Sequence, residues 1–199
     1  MPRRIDLDRR REELAAAVWS VVRERGIGAL SVRTVAAQAG VAVGSLRHVF
    51  PTRSELVVFS AELMLRRARE RIDAVVRTGD LEHDYLAILS ELLPLSPDPR
   101  AELEVNLALI AEAPAVPELI PVRDRATREL ADFCTAIASS LEADARGVAQ
   151  DEVDAVAAGR RLHALVDGLA LHLLADPDGG DADWALDILR GEIAALHSV

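Results

Sequence analysis

The chain has 199 residues, enough for one large domain or two small ones with real cores. Half of it is apolar but only 3% is aromatic, so its core is built from Ala, Leu, Val and Ile, a mixture that favours helices over strands. The single cysteine, Cys134, excludes an intramolecular disulfide or a cysteine zinc cluster and reads as a small buried hydrophobe in a reducing cytosol.

The net charge of −10 is unevenly placed: residues 1–53 hold ten Arg against five acids, a net of +5, which leaves −15 on the remainder. A basic head on an acidic body implies a polyanionic partner met by the head alone. The best membrane candidate, Ala164–Ala175, is twelve residues long and contains Asp167 and His172, too short and too polar to span a bilayer. No secretory leader is read in "MPRRIDLDRRREEL", so the expectation is a cytoplasmic protein with no membrane partner.

In chain order, residues 9–25 place Leu14, Val18, Val21 and Val22 at helical spacing, with Gly26 where a helix-ending glycine belongs. Arg3, Arg4 and Arg9–Arg11 read as a solvated tail in preference to an arm on nucleic acid. Ser31 is a good cap for a short second helix, "VRTVAAQA", ended by Gly40, with Val41 plugging the corner. In "VGSLRHVF", Val43, Leu46, Val49 and Phe50 make one apolar stripe, which leaves Gly44, Ser45, Arg47 and His48 on the outer face. Pro51 ends that helix, and Thr52-x-x-Glu55 is a capping box for the next, about 53–77. Thr78-Gly79-Asp80 marks a break. Five further helices follow, at about 81–93, 99–113, 122–143, 151–175 and 183–197. The chain reads as all-α with about nine helices.

A helix, a tight turn and a second short helix with a polar outer face is the helix-turn-helix plan, whose second helix fits the DNA major groove. The longer stretch "SVRTVAAQAGVAVGSLRHVFPTRSEL" resembles the signature of the TetR (tetracycline-repressor) family of bacterial transcriptional regulators, over roughly residues 9–63. The resemblance implies a three-helix DNA-binding head (1–53), a body for effector binding and dimerisation (54–199), and a connecting fourth helix. It implies a homodimer on a palindromic double-stranded operator, released by a small effector. By position, Thr34 and Arg53 match phosphate contacts, and Val43, Gly44 and Ser45 match the base-facing start of the recognition helix. Arg47 and His48 supply donors for guanine or phosphate, and Arg33 and Thr52 complete the candidate surface, Arg33 reading equally as a solvated residue. Two positions depart from the pattern: Arg47 stands where Tyr is usual, and Val49 where His or Tyr is. Ala42 also lacks the hydroxyl that commonly caps this helix.

For the body, the resemblance implies an effector pocket among the fifth to eighth helices. Its inward candidates are Tyr85, Leu89, Leu103, Asn106, Leu107, Ile110, Phe133, Ile137, His163, Leu165 and Asp167, a mostly apolar set suited to a hydrophobic or amphipathic molecule. It also implies a dimer formed by the last two helices, with Leu165, Gly168, Leu169, His172, Leu186, Leu189, Ile193 and Leu196 as candidates. His163 and Asp167, one turn apart, suit two metal ligands or an acid–base pair, but no third ligand accompanies them, so a satisfied hydrogen bond is the expectation. No nucleophile motif, phosphate loop or metal cluster is read, and no cofactor, metal or catalytic residue is expected. Against the regulator stands an all-α carrier or enzyme with an incidental basic head. The charge split, the capping box and the outward Arg47–His48 favour the regulator.

Overall fold

The 3.6-residue periodicity is realised as nine α-helices, with no strand among the described residues. The structure is a computed structural model; it describes the backbone of residues 2–176 and 181–198, and their side chains apart from residues 2–8 and 27. Roles for the Arg3 and Arg4 side chains and for the turn around Asp178 lie outside the described residues. In order the helices are α1 (Pro2–Arg25), α2 (Val32–Gln38), α3 (Val43–Val49), α4 (Arg53–Ala74), α5 (Leu81–Ser90), α6 (Pro97–Glu112), α7 (Ile120–Arg146), α8 (Val156–Ala175) and α9 (Asp183–Leu196).

Packing divides the chain into two units, residues 1–67 with 101–124, and residues 68–100 with 125–199. In the first, Leu14, Val18 and Val21 of α1 meet Val35, Leu46, Phe50, Leu56 and Leu63, and Val105 and Leu109 of α6 complete this core. In the second, Ile88, Leu89, Ile137, Leu141, Leu162 and Leu189 are almost wholly buried. Each such side chain stabilises its unit by about 1.5–3 kcal/mol relative to exposure.

Local chemistry sets the helix ends in the first unit. Ser31 Oγ accepts from the Thr34 N–H at 3.1 Å, while Thr34 Oγ1 accepts from the Ser31 N–H at 2.9 Å, a reciprocal capping box. At the other end of α2, Gly40 takes φ +65°, a conformation that favours glycine. It donates to Ala37 O while Val41 donates to Ala36 O, which closes the sharp corner into α3. Thr52 Oγ1 accepts from the Glu55 N–H at 3.1 Å and opens α4 as its spacing predicts.

Several boundaries differ from the sequence reading, α5 among them, which ends at Ser90. The basic residues before Leu14 are helical from Pro2, not a loose tail; proline is favoured at a first helical position, and Arg9 and Arg10 both pair with Glu13. Arg11 turns inward instead, its guanidinium 5.8 Å from the Phe50 ring and 5.7 Å from that of Phe59. The α4 helix stops at Ala74, before the 75–80 turn, where the Asp84 carboxylate accepts from the Thr78 and Gly79 N–H groups. Residues 150–152 form a separate 3₁₀ turn, tied by Ser139 to Gln150 O, so α8 begins at Val156 rather than near 151.

Candidate nucleic-acid interface

The four-residue turn between α2 and α3 and the apolar stripe of α3 together decide what the head presents. Leu46 and Val49 are buried on the inner side of α3, and Phe50 follows them into the core. Gly44, Ser45, Arg47 and His48 are exposed, and Val43 stands at the margin, 36% exposed. A Cβ added to Gly44 would meet nothing within 4 Å, so the protein's own packing does not require glycine there. Ala42 caps α3 without a side-chain hydrogen bond, as its residue type demands. The result is a short helix with donors and small residues facing outward, the shape and chemistry that fit base edges in a major groove. Arg33 and Thr52 are also exposed.

Two expected phosphate contacts, Thr34 and Arg53, have hydrogen-bond partners within the DNA-free protein. Thr34 has one hydroxyl hydrogen, and Ala29 O accepts it at 2.7 Å while the same oxygen serves the α2 capping box. Arg53 donates through Nε to Leu30 O at 3.1 Å and through Nη2 to Glu112 Oε1 at 2.6 Å. In both cases the acceptor belongs to the side chain's own unit. Glu112 lies 59 residues from Arg53, so no local pattern announces the pair.

Of the effector candidates, Leu103, Asn106, Leu107 and Ile110 lie in the first unit, and Tyr85, Leu89, Phe133, Ile137, His163, Leu165 and Asp167 in the second. Leu89 and Ile137 are buried core, while Ile110 and Asp167 are exposed. His163 Nε2 and Asp167 Oδ2 do pair, at 3.3 Å, though at the surface and not in a sealed site. Beneath them Cys134 is fully buried, and burial, with Asp167's charge adding, pushes its thiol up to about 12, which makes it inert. No group of three or more His, Cys, Asp or Glu suited to a metal occurs among the described residues.

The dimer candidates differ in exposure, and His172 is exposed. Leu169, Leu189, Ile193 and Leu196 are buried inside the chain itself, and Leu165 and Leu186 are half-buried. Exposed apolar side chains remain on both helices, Leu171 on α8 and Trp184 and Ile188 on α9, at 49%, 42% and 46% exposure. Gly168 and Gly191, each with open space beyond an added Cβ, lie on the same stripes. On α9 the exposed side repeats as Trp184, Ile188, Gly191 and Ala195, a weaker periodicity in the sequence than the leucine stripe.

The second unit also holds a feature that local patterns do not reveal. At the C-terminal end of α9, His197 lies between two carboxylates, Nδ1 2.8 Å from Glu82 Oε1 and Nε2 2.8 Å from Asp144 Oδ2. The hydrogen bond to Asp144, then that to Glu82, raises its pKa above the ordinary imidazole value. This trio edges an open cleft of about 770 Å³ that also takes in Asp80, His83 and Arg190; none of the expected effector residues lines it.

Comparison with known proteins agrees with this geometry. Residues 14–58 match the profile of bacterial regulatory proteins of the tetR family, and residues 82–198 match that of the BetI-type transcriptional repressor C-terminal domain. The chain is 35% identical over 178 residues to the HTH-type transcriptional regulator PksA of Bacillus subtilis (strain 168), covering 89% of this chain and 84% of the relative. A crystal structure of a transcriptional regulator from Rhodococcus sp. Rha1 superposes with TM-score 0.78 at 30% identity, over 94% of this chain and 95% of that one. The multidrug binding protein EbrR complexed with ethidium superposes with TM-score 0.63 at 25% identity, over 92% and 98% of the two chains.

Proposed function

Because the chain belongs to the TetR family of bacterial transcriptional regulators, we propose that it is a repressor released from a palindromic operator by a small hydrophobic or amphipathic effector. It is a DNA-binding regulator and not an enzyme. The observation that carries the reading is the outward face of α3, with Gly44, Ser45, Arg47 and His48 exposed in a head of net charge +5. Residues 1–53 serve as that head, and residues 54–199 as the effector and dimerisation body. Arg47, where an aromatic residue is usual, reads bases or grips phosphate without the packing a tyrosine ring supplies. Exposed His48 and Arg33 add phosphate contacts that fix the register of the helix.

Dimerisation follows the open face of α8 and α9, with Leu171, Trp184 and Ile188 covered by the same residues of a second copy. The glycines on that face let the paired helices approach closely. A two-fold dimer sets two α3 helices on half-sites about 34–36 Å apart, and an effector that prefers another spacing releases them. The likeness to a multidrug binding protein crystallised with ethidium supports an apolar or amphipathic effector. No helix among the described residues is long and apolar enough to cross a membrane, in keeping with a regulator that works at DNA inside the cell. A gel-shift with the duplex upstream of the protein's own gene tests the reading. A sequence-selective shift is expected, and hydrophobic compounds that raise the melting temperature should abolish it. A folded dimer that shifts no duplex selectively would refute it.

A further inference from the structure

Three acidic side chains of the α6 helix pair with arginines in the same unit: Glu102 with Arg67 at 4.0 Å, Glu104 with Arg23 at 3.9 Å, and Glu112 with Arg53 at 2.6 Å. Only the last is short enough for a full charge-assisted hydrogen bond, and only its arginine stands at the start of a helix in the DNA-binding head.

Arg53 is the first residue of α4, and its Nε is held by Leu30 O, the residue just before the Ser31 cap of α2. The guanidinium therefore sits at the N-terminal end of α4, where backbone dipoles favour an anion. The anion present is Glu112, the last residue of α6, where its own helix dipole disfavours a carboxylate. The Arg53 cation is what retains it there. The pair is part open, with side chains 34% and 20% exposed, so an external oxyanion reaches it without unfolding the head. Guanidinium binds carboxylate and phosphodiester oxygens with the same planar donor set, which makes exchange between them a matter of competition.

We propose that Glu112 is an internal phosphate surrogate: it occupies the Arg53 guanidinium in the DNA-free protein, and backbone phosphate must displace it when the head engages DNA. This rests on the DNA-binding reading above and adds to it a positioning residue outside the head. Glu112 thereby sets the affinity for any duplex and its dependence on salt, while α3 sets the choice of sequence. An arginine already neutralised within the protein contributes less than a full charge to counterion release.

The test measures affinity against salt concentration for specific and scrambled duplexes by fluorescence anisotropy, with wild type, Glu112→Gln, Arg53→Ala, the double variant and Glu104→Gln. Glu112→Gln is expected to tighten binding to both duplexes by about two- to fivefold per protomer, the range for a part-exposed ion pair. It should steepen the salt slope by about 0.9 per protomer, the value for one phosphate. Both effects vanish in the Arg53→Ala background, and Glu104→Gln, which removes the same charge from the same helix, leaves the slope unchanged. An unchanged or weaker Glu112→Gln, or an effect that persists without Arg53, overturns the proposal. If melting shows Glu112→Gln partly unfolded, Glu112→Asp, which keeps the charge but withdraws it by one methylene, replaces it; an unchanged slope there overturns the proposal equally. Wild-type protein that binds neither duplex at low salt would instead overturn the DNA-binding reading beneath it.

Discussion

Among the described glycines of the second unit, Gly159 has the least room for a side chain. A Cβ built there would lie 2.4 Å from Thr135 Oγ1, 2.5 Å from Thr135 Cα and 2.8 Å from Thr135 Cβ. Ordinary carbon contacts begin near 3.5 Å, so in Gly159→Ala helix α8 must retreat from α7 by on the order of 1 Å. Because the obstacle includes backbone, no rotamer change relieves it. Overpacking of this kind costs about 3 kcal/mol, and the better helix propensity of alanine returns about 1 kcal/mol. The net loss of about 2 kcal/mol lowers Tm by about 4–8 °C for a chain of this size. Gly168 and Gly191 are the internal controls, since an added Cβ there meets nothing within 4 Å. Alanine at either gains about 0.8–1 kcal/mol of helix propensity in the protomer. If the α8–α9 face pairs with a second copy, part of that gain disappears at high protein concentration, where the dimer dominates. Thermal unfolding by far-UV circular dichroism at two protein concentrations reads all three. A Gly159→Ala variant that melts at or above the wild-type temperature would refute the close approach of α7 and α8.

Ser31→Ala removes the cap of α2 and leaves the Thr34 N–H without its acceptor, a loss of about 1 kcal/mol that lowers Tm by about 2–4 °C. Ile188→Arg places a charge in the open α8–α9 face and should convert a dimer to a monomer in sedimentation or size-exclusion measurements, with helicity unchanged. His197 gains stability from its two carboxylates through a raised pKa. That contribution is complete below the unfolded imidazole value near 6.5 and is lost as pH rises through the higher folded value, so melting scans across this window should show a fall that His197→Gln flattens. The group is solvent-screened, and the fall is small.

Helix identity and most ends were legible because they are written in local chemistry. Ser31, Gly40 and the Thr52–Glu55 box each act within four or five residues, and their geometry follows the spacing. The outward turn of Arg47 and His48 was legible for the same reason, since four apolar residues at helical spacing leave only one face for them. What failed to show was long-range competition. Arg53 looks free in the sequence, but Glu112, 59 residues away, is its partner in the DNA-free protein. The two apolar stripes of α9 pose a related problem. Leu189, Ile193 and Leu196 and the stripe through Trp184 and Ile188 are both apolar, and periodicity alone does not say which fills the protomer's own core.

The claim that matters most is that α3 reads sequence. Fluorescence anisotropy at near-physiological salt, on the duplex upstream of the gene and on its scrambled counterpart, measures that directly. Wild type should prefer the upstream duplex by about a thousandfold or more, and Ser45→Ala or Arg47→Ala should narrow that ratio by about 1–3 kcal/mol while leaving scrambled-duplex binding nearly unchanged. Equal affinity of folded wild-type protein for both duplexes, or a ratio indifferent to Ser45 and Arg47, would contradict it.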